Sequence, residues 1–117
     1  DRTIHPKRGR PKYRGKVAVL MGPVNMSSCE SFLLMMKHGA GATLVGQTSY
    51  GSSGNPKPSA LGNGVTVFLP SWRDLLPDGT LLEGKGITPD VAVETTPEAL
   101  TRSDAVLEAA LKLLRKP

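Results

Sequence analysis

A serine stands where an apolar segment passes through a Gly-Pro pair into an amphipathic pattern, in the stretch VAVLMGPVNMSSCESF. Two roles suit a hydroxyl at such a helix start. In a capping box, the Ser27 oxygen accepts the amide of Glu30 while the Glu30 carboxylate accepts the amide of Ser27. As a nucleophile, Ser27 would attack a carbonyl group, and the free helix amides, including that of Ser28, would stabilise the oxyanion. The local spacing by itself favours the cap.

The elements that position this serine follow from hydrophobic periodicity. Residues 16–21 are largely apolar up to Gly22-Pro23, which predicts a buried strand. Apolar residues then recur at helical spacing up to a basic last turn and a glycine, so residues 27–38 are predicted as the first helix. The other predicted elements are strands at 42–45, 65–69 and 86–93, short extended segments at 59–61 and 80–82, a loop at 47–58, and a final helix capped by Ser103.

The composition narrows the class of protein. Of the 117 residues, 38% are hydrophobic and 4% aromatic, with 13 Gly and 10 Pro, which suits a loop-rich α/β fold. The longest apolar runs, such as 17–21, are far shorter than the roughly 20 residues of a membrane span, so no membrane insertion is expected. The single cysteine, Cys29, lies in the helical apolar stripe and is interpreted as a buried thiol. Because His, Cys and carboxylate residues do not cluster at ligand spacing, no metal or organic cofactor is expected.

The positive charge is concentrated at the N-terminal end. The net charge is +5, and residues 1–16 carry seven basic residues against Asp1, so the remainder of the chain is slightly acidic. A site for nucleic acid would need aromatic side chains or a groove-entering helix, but this segment offers Tyr13 alone and is broken by proline and glycine. Residues 1–16 are therefore predicted as a solvated basic arm without a nucleic-acid partner, and residues 17–117 as one structural unit.

Four segments in order carry a resemblance to a known family. The strand KVAVLM, the Ser-x-x-Glu helix start, GATLVGQTSYG and GKGITPDVAV together resemble the core of the C-terminal-processing (tail-specific) proteases over residues 13–114. The resemblance implies an α/β fold, the crotonase/Clp-protease-like spiral of β-β-α units, of which this chain would form a partial core. It also implies Ser27 as the nucleophile, Glu30 as its structural support and the Ser28 amide as an oxyanion donor. Family members are commonly secreted, periplasmic or membrane-facing.

One position departs from the serine and lysine branch of the family. There a lysine follows the nucleophile by twenty-five residues, whereas this chain has Ser52, whose neutral hydroxyl cannot take the proton of Ser27 as such a lysine does. Ser52 would instead line the site. A second branch, which resembles tricorn-type proteases, takes its base from an upstream histidine and places a glutamate ahead of a Pro-Asp segment. In EGKGITPD that place falls to Glu83, which is either a relay acid or an exposed turn carboxylate.

No other residue replaces the missing base. His38 lies eleven residues along the predicted helix, about 16 Å from Ser27 at the rise of an α-helix. Lys57 stands between two prolines and is interpreted as solvated, and His5 lies in the basic arm.

The expected function is that of a serine-type endopeptidase that processes polypeptides near their C-termini. Its partners would be a polypeptide substrate and the upstream part of the same parent chain, which would supply the base and the second oxyanion donor. The 117-residue chain is therefore expected to be inactive alone. The alternative is a non-catalytic peptide-binding or scaffold module that kept the fold and lost the general base.

Overall fold

The structure is a computed structural model that describes residues 9, 11 and 13–115, arranged as a mixed helix and strand fold. The predicted basic arm at 1–16, including His5, lies mostly outside the described residues. The strands are β1 (Ala18–Met21), β2 (Thr43–Gly46), β3 (Lys57–Ala60), β4 (Thr66–Leu69) and β5 (Val91–Ala92). The helices are α1 (Ser28–Leu34), which continues into a π-helical segment (Met35–Gly39), α2 (Pro97–Leu100) and α3 (Ala105–Arg115).

A parallel sheet in the order β1-β2-β5 forms the centre of the fold. Its middle strand is covered on both faces, since Leu44 and Val45 are each 0% exposed and successive side chains of a strand point to opposite faces. Leu44 belongs to the cluster that includes Leu33 of α1, whereas Val45 packs in the cluster with Val106 and its neighbours on α3. The sheet therefore fixes where β1 ends and α1 begins.

A second, two-stranded sheet stands apart from this core. β3 and β4 pair antiparallel, with Lys57 opposite Leu69 and Ala60 opposite Thr66. Every residue of β3 is exposed, and Phe68 and Leu69 of β4 are 66% and 56% exposed. The sequence placed residues 57–58 in a loop, and that prediction was wrong because pairing with β4, not local pattern, makes this segment a strand.

Other boundaries also differ from those predicted. The long strand expected at 86–93 is reduced to β5, because Gly86 has a φ of +70° and only the segment beside β2 is paired. The last helix is capped not by Ser103 but by Asp104, whose Oδ1 accepts the amide of Leu107 at 2.9 Å. Cys29 is half-buried rather than fully buried. Within the described part of the chain, no helix has the length and apolar character needed to cross a membrane.

Asp90, in the ITPD segment, joins the end of the first helix to the sheet. Its Oδ2 accepts the amide of Leu44 at 2.9 Å, and its own amide donates to the Leu44 carbonyl oxygen at 2.8 Å. Its Oδ1 lies 2.6 Å from the ammonium of Lys37. The hydrogen bond from Lys37, followed by that from the Leu44 amide, holds the pKa of Asp90 below its ordinary value. The Pro-Asp segment therefore has a structural role at this position.

Candidate active site

Ser27 occupies the turn between β1 and α1 in a strained backbone conformation. Its φ of 56° and ψ of −123° lie in a region that residues other than glycine rarely adopt, and its side chain is exposed. Such strain costs on the order of 1–3 kcal/mol and persists only where surrounding contacts impose it. A sharp strand-to-helix turn of this kind presents the nucleophilic serine of α/β-hydrolases. The geometry thus suits an exposed, outward-pointing hydroxyl.

The turn before Ser27 is held at both ends. The amide of Asn25 donates to the Gly22 carbonyl oxygen at 3.0 Å, and the Gly22 amide donates to Asn25 Oδ1 at 2.7 Å. The carbonyl oxygen of Asn25 also accepts the amide of Tyr50 at 2.9 Å. These bonds close a turn of the chain at the end of β1 and attach it to the loop that follows β2.

The backbone of Ser27 is restrained on both sides. Its amide donates to Glu30 Oε2 at 3.1 Å and to the carbonyl oxygen of Ser52 at 2.8 Å. Its carbonyl oxygen accepts the amides of Glu30 at 2.8 Å and Ser31 at 3.2 Å. The predicted capping box is in place, yet the amide of Glu30 already bonds to the backbone of Ser27. The Ser27 hydroxyl is therefore not needed to satisfy that amide.

The Ser28 amide differs from its neighbours. Those of Cys29 and Glu30 donate to the carbonyl oxygens of Met26 and Ser27, at 3.1 and 2.8 Å. The Ser28 amide, by contrast, has no acceptor among residues 13–115. As one of the first amides of a helix it is free to donate to an external oxygen. The position of the Ser28 amide is compatible with the predicted role of an oxyanion donor, which stays a prediction.

Glu30 is the centre of a buried hydrogen-bond network. Its side chain is 0% exposed, and its two carboxylate oxygens accept the amides of Ser27, Gly51 and Ser52 at 3.1, 2.8 and 3.2 Å. The hydroxyl of Ser49 is a fourth donor, at 2.5 Å. A buried carboxylate is tolerated only when such bonds compensate for its lost hydration. Glu30 thus does more than cap α1, because it attaches the whole loop 49–52 to the helix start.

Ser49 is a member of the site that the sequence reasoning missed. Its hydroxyl accepts the amide of Ile87 at 2.7 Å, and its own amide donates to the Ile87 carbonyl oxygen at 3.1 Å. The two segments approach so closely that a Cβ on Gly86 would lie 2.3 Å from the Ser49 carbonyl oxygen, and one on Gly51 2.5 Å from the Gly86 nitrogen. The only signal in the sequence was the pair of glycine-containing motifs that meet here.

Ser52 belongs to the same loop, and Glu83 lies on its exposed side. Ser52 is half-buried, and its carbonyl oxygen accepts the Ser27 amide in the elbow, the turn of residues 22–27 between β1 and α1. The exposed Glu83 accepts the amide of Ser53 on its Oε2 at 2.8 Å, and the next amide, of Gly84, donates to the Gly51 carbonyl oxygen at 2.7 Å. The structure therefore brings Ser27, Ser52 and Glu83 around one loop.

The two described residues that were rejected as bases from the sequence lie in other elements. His38 is exposed in the π-helical segment beyond α1, and the exposed Lys57 begins β3. In the described part of the chain, no three His, Cys, Asp or Glu side chains are grouped so as to hold a metal ion.

Comparison with known proteins bears on the family and the fold of this chain. The model of peptidase family S41 matches residues 1–93. A solved structure of a candidate peptidase from Parabacteroides merdae ATCC 43184 is 31% identical, with a TM-score of 0.80 over 92% of this chain and 34% of that chain. The tricorn protease is 21% identical, with a TM-score of 0.73 over 97% of this chain and 12% of its own. The photosystem II D1 C-terminal processing protease is 24% identical, with a TM-score of 0.57 over 86% of this chain and 25% of its own. At identities this low, the last two bear on the fold alone.

Proposed function

The chain belongs to peptidase family S41, and on that premise we propose that it is the nucleophile-bearing half of a serine-type endopeptidase that processes polypeptides near their C-termini. The family resemblance drawn from the sequence is confirmed by the match. Membership implies a polypeptide substrate. The observation that carries the proposal is the strained, doubly restrained backbone of the exposed Ser27.

Each residue of the elbow has a role in this proposal. The Ser27 oxygen attacks the carbonyl carbon of the scissile peptide bond and passes its proton to a base. The oxygen of that carbonyl becomes an anion, which the free amide of Ser28 holds. Glu30 fixes the Ser27 backbone through its buried carboxylate, so the hydroxyl is aimed before the substrate arrives.

The base comes from outside these residues. With Ser52 at the place of the family lysine, we assign the proton transfer to a histidine in the upstream part of the parent chain. Glu83, which lies beside the loop that contacts Ser27, would orient that histidine as the third member of a relay. Ser52 lines the site and supports the elbow through its carbonyl oxygen.

The exposed apolar surface supports the proposal that this chain forms only part of a larger hydrophobic core. The chain spans 34% of the Parabacteroides relative, and its radius of gyration of 17.6 Å exceeds the roughly 13 Å of a compact domain of this size. Large apolar side chains that a complete core would cover are exposed, among them Val24, Tyr50, Leu61, Phe68 and Leu75. We propose that residues 17–117 are the C-terminal part of a crotonase/Clp-protease-like spiral, that residues 1–16 are a basic arm, and that the chain is inactive alone.

A second candidate is a non-catalytic peptide-binding or scaffold module of the same family. Ser52, a neutral residue where a proton acceptor is expected, is the observation that favours it. The two candidates differ in one property, the reactivity of the Ser27 hydroxyl.

The test is active-site labelling of the full-length parent protein with a fluorophosphonate. We expect modification of Ser27 in the wild type, loss of labelling in Ser27→Ala, and unchanged labelling in the control Ser31→Ala, which alters an exposed serine one turn along α1. Folded protein that is not labelled would instead identify the non-catalytic module. Turnover of casein by the 117-residue chain, abolished by Ser27→Ala, would contradict the assignment of the base to the upstream part.

A further inference from the structure

Asp74 contacts the surroundings of Glu83 at two places. Its Oδ2 accepts the hydroxyl of Ser53 and, at 3.1 Å, the indole N–H of Trp72. Its carbonyl oxygen accepts the amide of Leu82 at 3.0 Å. Ser53 is the residue whose amide binds the Glu83 carboxylate, and Leu82 is the residue that precedes Glu83 in the chain. Asp74 therefore contacts both the residue that precedes Glu83 in the chain and the residue that binds the Glu83 carboxylate.

From this convergence we propose that Asp74 is a positioning residue for Glu83. The inference rests on the proposed function in one respect, the role of Glu83 in the relay, whereas the contacts themselves do not depend on it. Asp74 makes no hydrogen bond to Ser27, and it acts through Ser53 and Leu82.

Glu83 needs such support because it is exposed. Fixing a glutamate side chain in one geometry costs conformational entropy, and a hydrogen bond to its carboxylate offsets that cost most fully where the donor is already oriented. Burial does not orient the donor, the Ser53 amide, since Glu83 is exposed and Ser53 is half-buried.

The peptide group between Ser52 and Ser53 has its carbonyl oxygen bonded to the Ser27 amide at 2.8 Å, and each of the two residues it joins is held by a carboxylate. The Ser52 amide donates to the buried Glu30 at 3.2 Å, and the Ser53 hydroxyl donates to Asp74. With its neighbours held on both sides, the Ser53 amide faces Glu83 at 2.8 Å. Two donors converge on a single oxygen of Asp74, so an ionised carboxylate suits the place better than a neutral amide.

The first experiment measures the contact directly, by the chemical shift of the Ser53 amide proton in the intact protein. An amide bonded to a carboxylate resonates downfield, so Glu83→Gln should move this signal upfield. We expect Asp74→Asn to move it in the same direction, Asp74→Glu to restore part of the shift, and the control Asp78→Asn to leave it in place. Asp78 lies in the same stretch of chain but bonds to Thr80 within its own turn. An unmoved signal in folded Asp74→Asn overturns the proposal.

The second experiment measures the rate at which a fluorophosphonate labels Ser27 in the full-length parent. Asp74→Asn should slow labelling roughly tenfold to a hundredfold, as a misplaced catalytic group does. Because both residues act at the same point, Asp74→Asn combined with Glu83→Gln should be no slower than Glu83→Gln alone. A double variant in which the two losses multiply contradicts the proposal. Wild-type protein that is not labelled at all refutes the proposed function instead, and the amide signal then decides the positioning role independently.

Discussion

Two carboxylates bind the loop of residues 49–53, one on its buried, inner side and one on its exposed, outer side. On the inner side, Glu30 is 0% exposed and accepts four hydrogen bonds. On the outer side, Glu83 is exposed and accepts the amide of Ser53. The inner carboxylate is therefore part of what holds the fold together, whereas the outer one is the exposed carboxylate to which the proposed function gives a role in the relay.

The largest effect is expected from Glu30→Ala. The substitution leaves the Gly51 and Ser52 amides and the Ser49 hydroxyl without their acceptor, whereas the Ser27 amide keeps the Ser52 carbonyl oxygen. Each buried unpaired group costs about 1–3 kcal/mol, so the free energy of unfolding, measured with urea, should fall by more than about 3 kcal/mol. The matched control is Glu108→Ala, an exposed glutamate in α3, which should change stability by no more than about 0.5 kcal/mol. Similar losses in the two variants would contradict the structural role of the buried Glu30 carboxylate.

The buried side of the loop also depends on the close approach of the Ser49 and Gly86 backbones. Gly86→Ala should destabilise the protein by roughly 2–3 kcal/mol, because it adds a Cβ at positive φ and against the Ser49 carbonyl oxygen. Gly84→Ala is the control, since Gly84 has nearly the same φ, +73°, but open space around a Cβ. The difference between their unfolding free energies isolates the contact, and equal losses would show that only the backbone conformation matters.

The backbone strain at Ser27 can be tested by comparing the stabilities of glycine and alanine variants at Ser27 and at Ser31, where the order of stability should be opposite. Ser27→Gly should be more stable than Ser27→Ala by about 1 kcal/mol, because glycine adopts the positive φ without penalty. Inside α1 the order reverses, so Ser31→Ala should be more stable than Ser31→Gly by about 0.5–1 kcal/mol. If alanine is the better replacement at both positions, Ser27 is not strained. Thermal unfolding of the four variants measures both differences.

The smallest effect concerns Asp90, an exposed carboxylate that accepts an amide as Glu83 does. Its pKa is lowered in the folded protein, so its contribution to stability is present above its ordinary pKa and is lost as the pH falls through the folded value. The partly exposed pair with Lys37 is worth about 0.2–1 kcal/mol. Lys37→Met should therefore lower stability by that amount at neutral pH and by less in acid. A loss that is constant with pH would contradict the ion pair.

Several features of the site could be read from the sequence. The apolar run before Gly22, the helical spacing after Ser27 and the box formed with Glu30 all depend on residues close in the chain, and each lies where it was predicted. The candidate roles of Glu83 and Ser52 were implied by resemblance rather than by local pattern, and they stay predictions. That Glu83 lies beside the loop that contains Ser52 was seen only in the structure.

Features that rest on distant pairing could not be read in this way. The strand at 57–60 depends on its pairing with β4, and the expected strand at 86–93 is only two residues long because only those residues pair with β2. The cap of α3 is a separate case, since Ser103 and Asp104 are both suitable capping residues and the structure uses Asp104. Local preference ranks such choices only weakly, and tertiary contacts override it.

The sequence by itself determined the family of this protein, the serine at a helix start and the glutamate three residues later, because these are encoded by neighbours in the chain. Only the tertiary structure decided that Glu30 is buried, that Ser49 and Ser52 complete its hydrogen bonds, and that Ser27 is held at a φ of 56°. The physical reason is that these bonds join residues some twenty positions apart. They form only once the sheet has brought the two loops together.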